Sequence, residues 1–150
     1  MSKKMAASMA FITIVAFIAG FLVAQEDNTI HSAVISLNKA QNQKNDWGVF
    51  YTYFCGETYG TKDVLTGVAV IKPGMQIHPP HIHAEEEYLM VTEGTGSWHL
   101  NGKDFPAQKG DILYAAPWDI HGITNSSNEP LEVVVLKWNN KGMKLPVQKY

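Results

Sequence analysis

His81-Ile82-His83, followed by Glu87 and much later by His121, are the residues of this chain best suited to chemistry. On extended backbone, side chains two positions apart project from the same side, because the pleat alternates with period two. His81 and His83 can therefore aim both imidazoles at one point. Glu87 lies close enough for a short turn through Ala84-Glu85-Glu86 to bring its carboxylate there too. His121 sits at the start of a later strand-like run and can arrive from across a barrel. Three neutral imidazoles and one carboxylate make a mixed nitrogen and oxygen donor set, suited to one divalent transition metal ion: Fe, Mn, Ni, Zn or Cu. An octahedral ion held this way keeps two positions open, where a substrate with adjacent oxygens can chelate. Lewis-acid use of such a site gives an isomerase, lyase or decarboxylase, and a redox-active ion gives a dioxygenase. The ligand types do not choose between these routes.

Positioning these groups falls to short strands. From Trp47 onward, runs rich in aromatic and β-branched residues alternate with Gly, Pro and Asn punctuation. Expected strands are Val49 to Phe54, Leu65 to Lys72, Gln76 to His83, Glu87 to Thr92, Ser97 to Leu100, Lys103 to Phe105, Ile112 to Ala115, His121 to Thr124 and Leu131 to Trp138. Asn101-Gly102 is a strong two-residue hairpin signal. This spacing predicts an all-β barrel or sandwich, and no helical periodicity competes with it. Parity within Glu87 to Thr92 places Glu87, Leu89 and Val91 on one face, which turns Glu86 outward and leaves Glu85 in the turn. The three consecutive glutamates leave open whether Glu85 or Glu86 replaces Glu87 as the ligand.

The first residues read differently. Lys3 and Lys4 precede an uncharged apolar run from Met5 to Ala24, and the chain turns polar at Gln25. This pattern predicts a signal peptide over 1–24 and export to a periplasmic or extracellular compartment. An uncleaved membrane anchor through residues 5–24 is the alternative. Residues 25–46 form a polar lead-in with one short strand expected at Ala33 to Leu37, and 47–150 form the single β domain. The formal net charge of −2 offers no basic surface for nucleic acid or anionic lipid, so after cleavage no membrane or nucleic-acid partner is expected. All 12 basic residues are lysines. Without arginine there is no bidentate guanidinium clamp, and an anionic substrate must be held by the metal, by lysine, or by hydroxyl and amide donors. Cys55 is the one cysteine, which excludes an intramolecular disulfide, and its aromatic surroundings (Phe50 to Phe54) suggest burial.

At its two histidine-bearing segments the chain resembles the cupins, a family of small jelly-roll β-barrels. Their first motif is matched by Gly74, His81, His83, Glu87 and Gly94, with one extra residue before His81 and Pro79-Pro80 at the end of that stretch. The second is matched by Gly110, Pro117, His121 and Asn125, although the usual glycine between proline and histidine is missing and Asp119 occupies the region. The resemblance covers roughly 65 to 138 and implies a jelly-roll fold, a metal on the four ligands and often a homodimer. It does not imply one reaction, because one barrel hosts many. The expected function is a metal-dependent enzyme acting on a small oxygenated metabolite such as a carbohydrate-derived acid. Alternatives are a non-catalytic sugar- or metal-binding barrel and a lyase like the cupins that cleave dimethylsulfoniopropionate. Some of those have a tyrosine two residues after the ligand glutamate, where this chain has Leu89.

Around the ligands, Asp119, two residues before His121, is the candidate to orient that imidazole or to act as a general base. Trp118 is a candidate wall on which a substrate ring stacks, and Lys72 a candidate partner for an anionic group. Each also has a plainer reading, as turn, barrel-end and rim residues respectively. His78 is expected to be a loop residue rather than a further ligand, and His99 to lie on a strand face away from the metal.

Overall fold

In the computed structural model, which describes residues 28–145, 147 and 148, nearly all regular structure is β. The expected leader at 1–24 lies outside the described residues. Among the described residues, nine strands follow a 3-10 turn at Leu37–Lys39: β1 Gln41–Asn45, β2 Gly48–Gly56, β3 Thr61–Ile71, β4 Glu86–Glu93, β5 Thr95–Leu100, β6 Lys103–Gln108, β7 Ile112–Ala115, β8 His121–Thr124 and β9 Leu131–Asn140. They form a six-stranded sheet in the order β1-β2-β3-β9-β4-β7 and a three-stranded sheet in the order β6-β5-β8. These two sheets are the β architecture expected from the strand spacing and the jelly roll that the family resemblance implies.

The two sheets share one core because their strands alternate. Leu89 and Val91 of β4, Leu131, Val133 and Val135 of β9, Ala69 and Ile71 of β3, and Leu113 and Ala115 of β7 turn inward against Trp98 and Ile123 of the smaller sheet. Burying an aliphatic side chain of this size contributes about 1.5–3 kcal/mol, so the inward set fixes the strand register. Between β5 and β6, Asn101 and Gly102 take φ of 49° and 79°. Two successive left-handed residues form the tight turn whose twist matches the flanking strands.

Three local expectations are corrected. Ala33 to Leu37 is not a strand; only the 3-10 turn begins there. The sheet instead opens at β1, inside the expected lead-in, because Gln41 to Asn45 pair with Thr52 to Gly48. Gln76 to His83 is not a continuous strand either. Only Gln76 and His81 make single bridges, to Thr124 and His121, and the intervening Pro79-Pro80 lack the N–H groups a ladder requires. Cys55, expected to be buried, is exposed.

Asn125 anchors the end of β8. Fully buried, it donates to the carbonyls of Ile71 (2.8 Å) and Glu129 (2.7 Å) and accepts from the Ser127 N–H (3.0 Å) and hydroxyl (2.9 Å). One side chain thus satisfies the backbone where β3, β8 and the 125–130 turn meet, as buried polar groups require.

Candidate metal centre

His81, His83, Glu87 and His121 converge, each offering one ligand atom, with all four atoms within 4.8 Å of one another. Glu87 opens the inward face of β4, above Leu89 and Val91, so the strand parity that builds the core also aims the carboxylate. His121 opens β8 and is fully buried. The His81–His121 bridge, with reciprocal N–H···O bonds of 3.0 Å, locks the irregular histidine segment to β8. Gly122 lets this segment approach: a Cβ there would lie 3.2 Å from Pro80 Cα.

The outward nitrogen of each ring is already committed. Nδ1 of His81 lies 3.3 Å from the His121 carbonyl, that of His83 3.0 Å from the Glu85 carbonyl, and that of His121 2.8 Å from the Asp119 carbonyl. A carbonyl only accepts, so each Nδ1 carries the proton and each Nε2 is left to face inward. Nε2 of His83 and of His121 lie 2.7 and 2.9 Å from the same Glu87 oxygen. A carboxylate approaches two such nitrogens this closely only with positive charge between them, as a second ring proton or as a cation. The donor set therefore fits a divalent transition ion, with three Nε2 atoms and one carboxylate as ligands.

Titration of these groups reflects the same crowding. Burial works against the Glu87 carboxylate, but hydrogen bonds from His121 and His83 outweigh it and hold its pKa near about 2. Burial, then the nearby His78, His121 and His83, push His81 down to about 4. Burial also pulls on His121, yet its hydrogen bonds to Glu87 and the Asp119 carbonyl prevail and raise it.

Above the cluster lies a cavity of about 330 Å³, walled by Trp47, Phe50, Leu65, Ile77 and Val135. Polar groups beyond the cluster are Gln43, Asn45, His78 and Lys137. Gly67 makes room for the Phe50 ring, since a Cβ there would stand 2.4 Å from Phe50 Cζ. His78 joins this wall with its ring centroid 3.8 Å from that of His81. His99 faces away, paired with Asp104 at 2.7 Å.

Among the three glutamates, Glu87 is the one in the cluster. Glu85 approaches Lys137 and the outer nitrogen of His83, each at 3.4 Å, and Glu86 bonds Tyr114 and Asn140. The three substrate-side candidates fall elsewhere. Asp119 contributes its backbone carbonyl to His121 and lines a separate cavity with Ile82, Asn101, Trp118 and Ile120. A turn closed by the Asp119 N–H on the Ala116 carbonyl directs it there. Trp118 takes φ +69°, a left-handed conformation that favours glycine, and its N–H donates to the His83 carbonyl. Trp118 lines the second cavity, and Trp47 and Phe50 line the one above the cluster instead. Lys72 is exposed and donates to the Asp46 carbonyl at 2.9 Å.

Sequence reasoning missed Lys137. Leu131, Val133 and Val135 mark the inward parity of β9, and Lys137 continues it. The signal was a cation in register with an apolar face. Gln43 and Asn45 carried no such signal, being polar residues in a polar segment.

Comparison with known proteins agrees with this geometry. Residues 67–137 match the family model described as the cupin domain. A gentisate 1,2-dioxygenase from Streptomyces is 29% identical over 79 residues, covering 52% of this chain and 22% of that protein. An oxalate-binding protein from Thermotoga maritima is 30% identical over 66 residues, 44% of this chain and 54% of its own. The matches thus take in only part of either curated relative. Among solved structures, a predicted oxalate decarboxylase from Thermotoga maritima superposes with a TM-score of 0.59 at 21% identity, covering 71% of this chain and 98% of that one.

Proposed function

From the premise that the chain belongs to the cupin superfamily, we propose that it is a metal-dependent enzyme acting on a small carboxylate-bearing metabolite. The observation that carries this reading is the commitment of all three Nδ1 atoms to carbonyls, which leaves three Nε2 atoms and the Glu87 carboxylate converging at the foot of a cavity. His81, His83, Glu87 and His121 would hold one divalent transition ion. Such an ion supplies Lewis acidity toward a carbonyl or carboxylate and, if redox-active, oxygen chemistry as well.

The protein's own part is positional. The carbonyls of His121, Glu85 and Asp119 fix the ring tautomers, so the ligand nitrogens are ready before a substrate arrives. The apolar wall lowers the local dielectric beside the ligands and so strengthens charge interactions at the cavity foot. Oxygen chemistry follows the name of the Streptomyces relative, and decarboxylation that of the structural neighbour; both names contain a carboxylic acid, which supports the substrate class. A non-catalytic binding barrel is favoured by the name of the oxalate-binding relative.

Elemental analysis of the protein purified without chelator, beside His121→Ala, tests the reading. About one metal per chain, lost in the variant, is the expected result. Absence of metal even after reconstitution with iron, manganese, nickel, copper and zinc refutes it. Metal-dependent consumption of a carboxylic acid then separates enzyme from binding barrel.

A further inference from the structure

We propose that Lys137 and the apolar wall of the cavity select an aromatic monocarboxylic acid, its carboxylate held between the Lys137 ammonium and the metal cluster. The proposal rests on reading that cluster as a metal centre. Lys137 on β9 stands directly opposite Glu87 on β4 in the antiparallel register. Residues so paired point to the same face with Cβ atoms about 4.5–5.5 Å apart, so the ammonium can reach a group seated beside the ligands.

Lys137 is also the one cationic side chain lining the cavity among the described residues, in a chain without arginine. Its partner is Glu85 at 3.4 Å, well beyond the ~2.8 Å of a tight charge-assisted bond. An ammonium has three donors, and this loose contact engages one of them. The charge balance then points to a monoanion. A divalent ion with Lys137 exceeds the Glu85 and Glu87 carboxylates by a single positive charge, the ligand histidines being neutral. One carboxylate neutralises that excess; a dianion such as oxalate overshoots it in a low-dielectric pocket, where unpaired charge is costly.

The wall decides the ligand's body. Phe50, Leu65 and Ile77 offer no partners for a ring of hydroxyls and Trp47 offers only its indole N–H, while Gly67 seats the Phe50 ring where a flat ligand can stack. Of the polar lining, Gln43 and His78 are exposed, and the half-buried Asn45 amide already donates to the Gln43 carbonyl at 3.2 Å. A carbohydrate-derived acid would leave several hydroxyls unsatisfied against this surface, whereas an aromatic acid would bury apolar area. The cavity of about 330 Å³ also exceeds what a two-carbon acid fills.

Calorimetric titration of the zinc-loaded full-length chain with 2-hydroxybenzoate, oxalate and glucuronate tests this, with zinc content measured on every sample. The aromatic acid is expected to bind at least about tenfold tighter than the other two. Lys137→Met should weaken it by about tenfold, the worth of one charge-assisted hydrogen bond, with zinc retained and Lys137→Arg recovering most of the loss. Trp47→Ala should weaken it severalfold, also with zinc retained. Equal binding by Lys137→Met, tighter binding of oxalate or glucuronate, or loss of zinc from Lys137→Met overturns the proposal while leaving the metal centre standing. A wild-type chain that holds no zinc or other divalent ion refutes the metal-centre reading, and this proposal with it.

Discussion

Stability gained from metal should rise steeply with pH in mildly acidic solution, because the ion must displace a proton from His121. In the metal-free protein the His121 pKa is raised above its ordinary 6.5, chiefly by Glu87 overcoming burial. The stability from that proton is fully present below 6.5 and is lost as pH rises through the raised value. Glu87, held near about 2, contributes above its ordinary 4.5 and loses its contribution as pH falls toward 2. His81, lowered to about 4, favours the fold when neutral, so its effect disfavours folding as pH drops below 6.5. At mildly acidic pH, Glu87 is already ionised and His81 already neutral, so neither has a proton to release. His121 does. Each pH unit below its raised pKa therefore changes apparent metal affinity about tenfold through His121, or about 1.4 kcal/mol. With metal in fixed excess this passes directly into folding stability. For a domain of this size 1 kcal/mol moves Tm by about 4 °C, so the metal-induced shift should grow by about 5 °C per unit between roughly pH 5.5 and 6.5, below the raised His121 value. Differential scanning fluorimetry of chelator-stripped protein, with and without zinc, measures it. A shift that is flat or shrinks across this range would refute the claim that a His121 proton and the metal compete for one site.

Other outcomes follow from individual contacts. Asn125→Asp replaces two buried N–H donors with oxygen facing the Ile71 and Glu129 carbonyls, and should cost about 3–5 kcal/mol by denaturant unfolding, more than most buried substitutions. An unchanged midpoint would show that the turn is held otherwise. Gly67→Ala drives a Cβ to within 2.4 Å of Phe50 Cζ and should displace that ring, weakening cavity ligands severalfold while leaving metal content intact; the paired titrations and metal assays decide it. Glu87→Gln keeps the size of the side chain but removes the anion, and metal affinity should fall by about 10- to 100-fold or more in competition with a chromogenic chelator. A homodimer is expected from the family resemblance, and the outer face of β4 and β7 exposes Tyr88, Met90, Ile112 and Tyr114. Light scattering should then give about twice the 16.7 kDa chain mass, and a monomer at high concentration would exclude it.

Much of the candidate site was legible in the chain itself. Histidines two apart, the inward parity of Glu87, Leu89 and Val91, and the Asn101-Gly102 turn depend on backbone periodicity and local φ preference, which act within a few residues. Fold class is legible for the same reason, since alternation and punctuation recur along the chain. Tertiary structure decided what depends on contacts between distant segments. The His81–His121 bridge, rather than a regular strand, orients the histidine pair, because two prolines forbid the ladder. Trp118 assumes a glycine's backbone conformation, and the Asp119 carbonyl rather than its carboxylate steadies His121. Lys137 meets the cluster only because β9 lies beside β4 in the large sheet, a pairing across some fifty residues that no local pattern encodes. Local periodicity determines which way a side chain points, and only the packing of strands determines what it then faces.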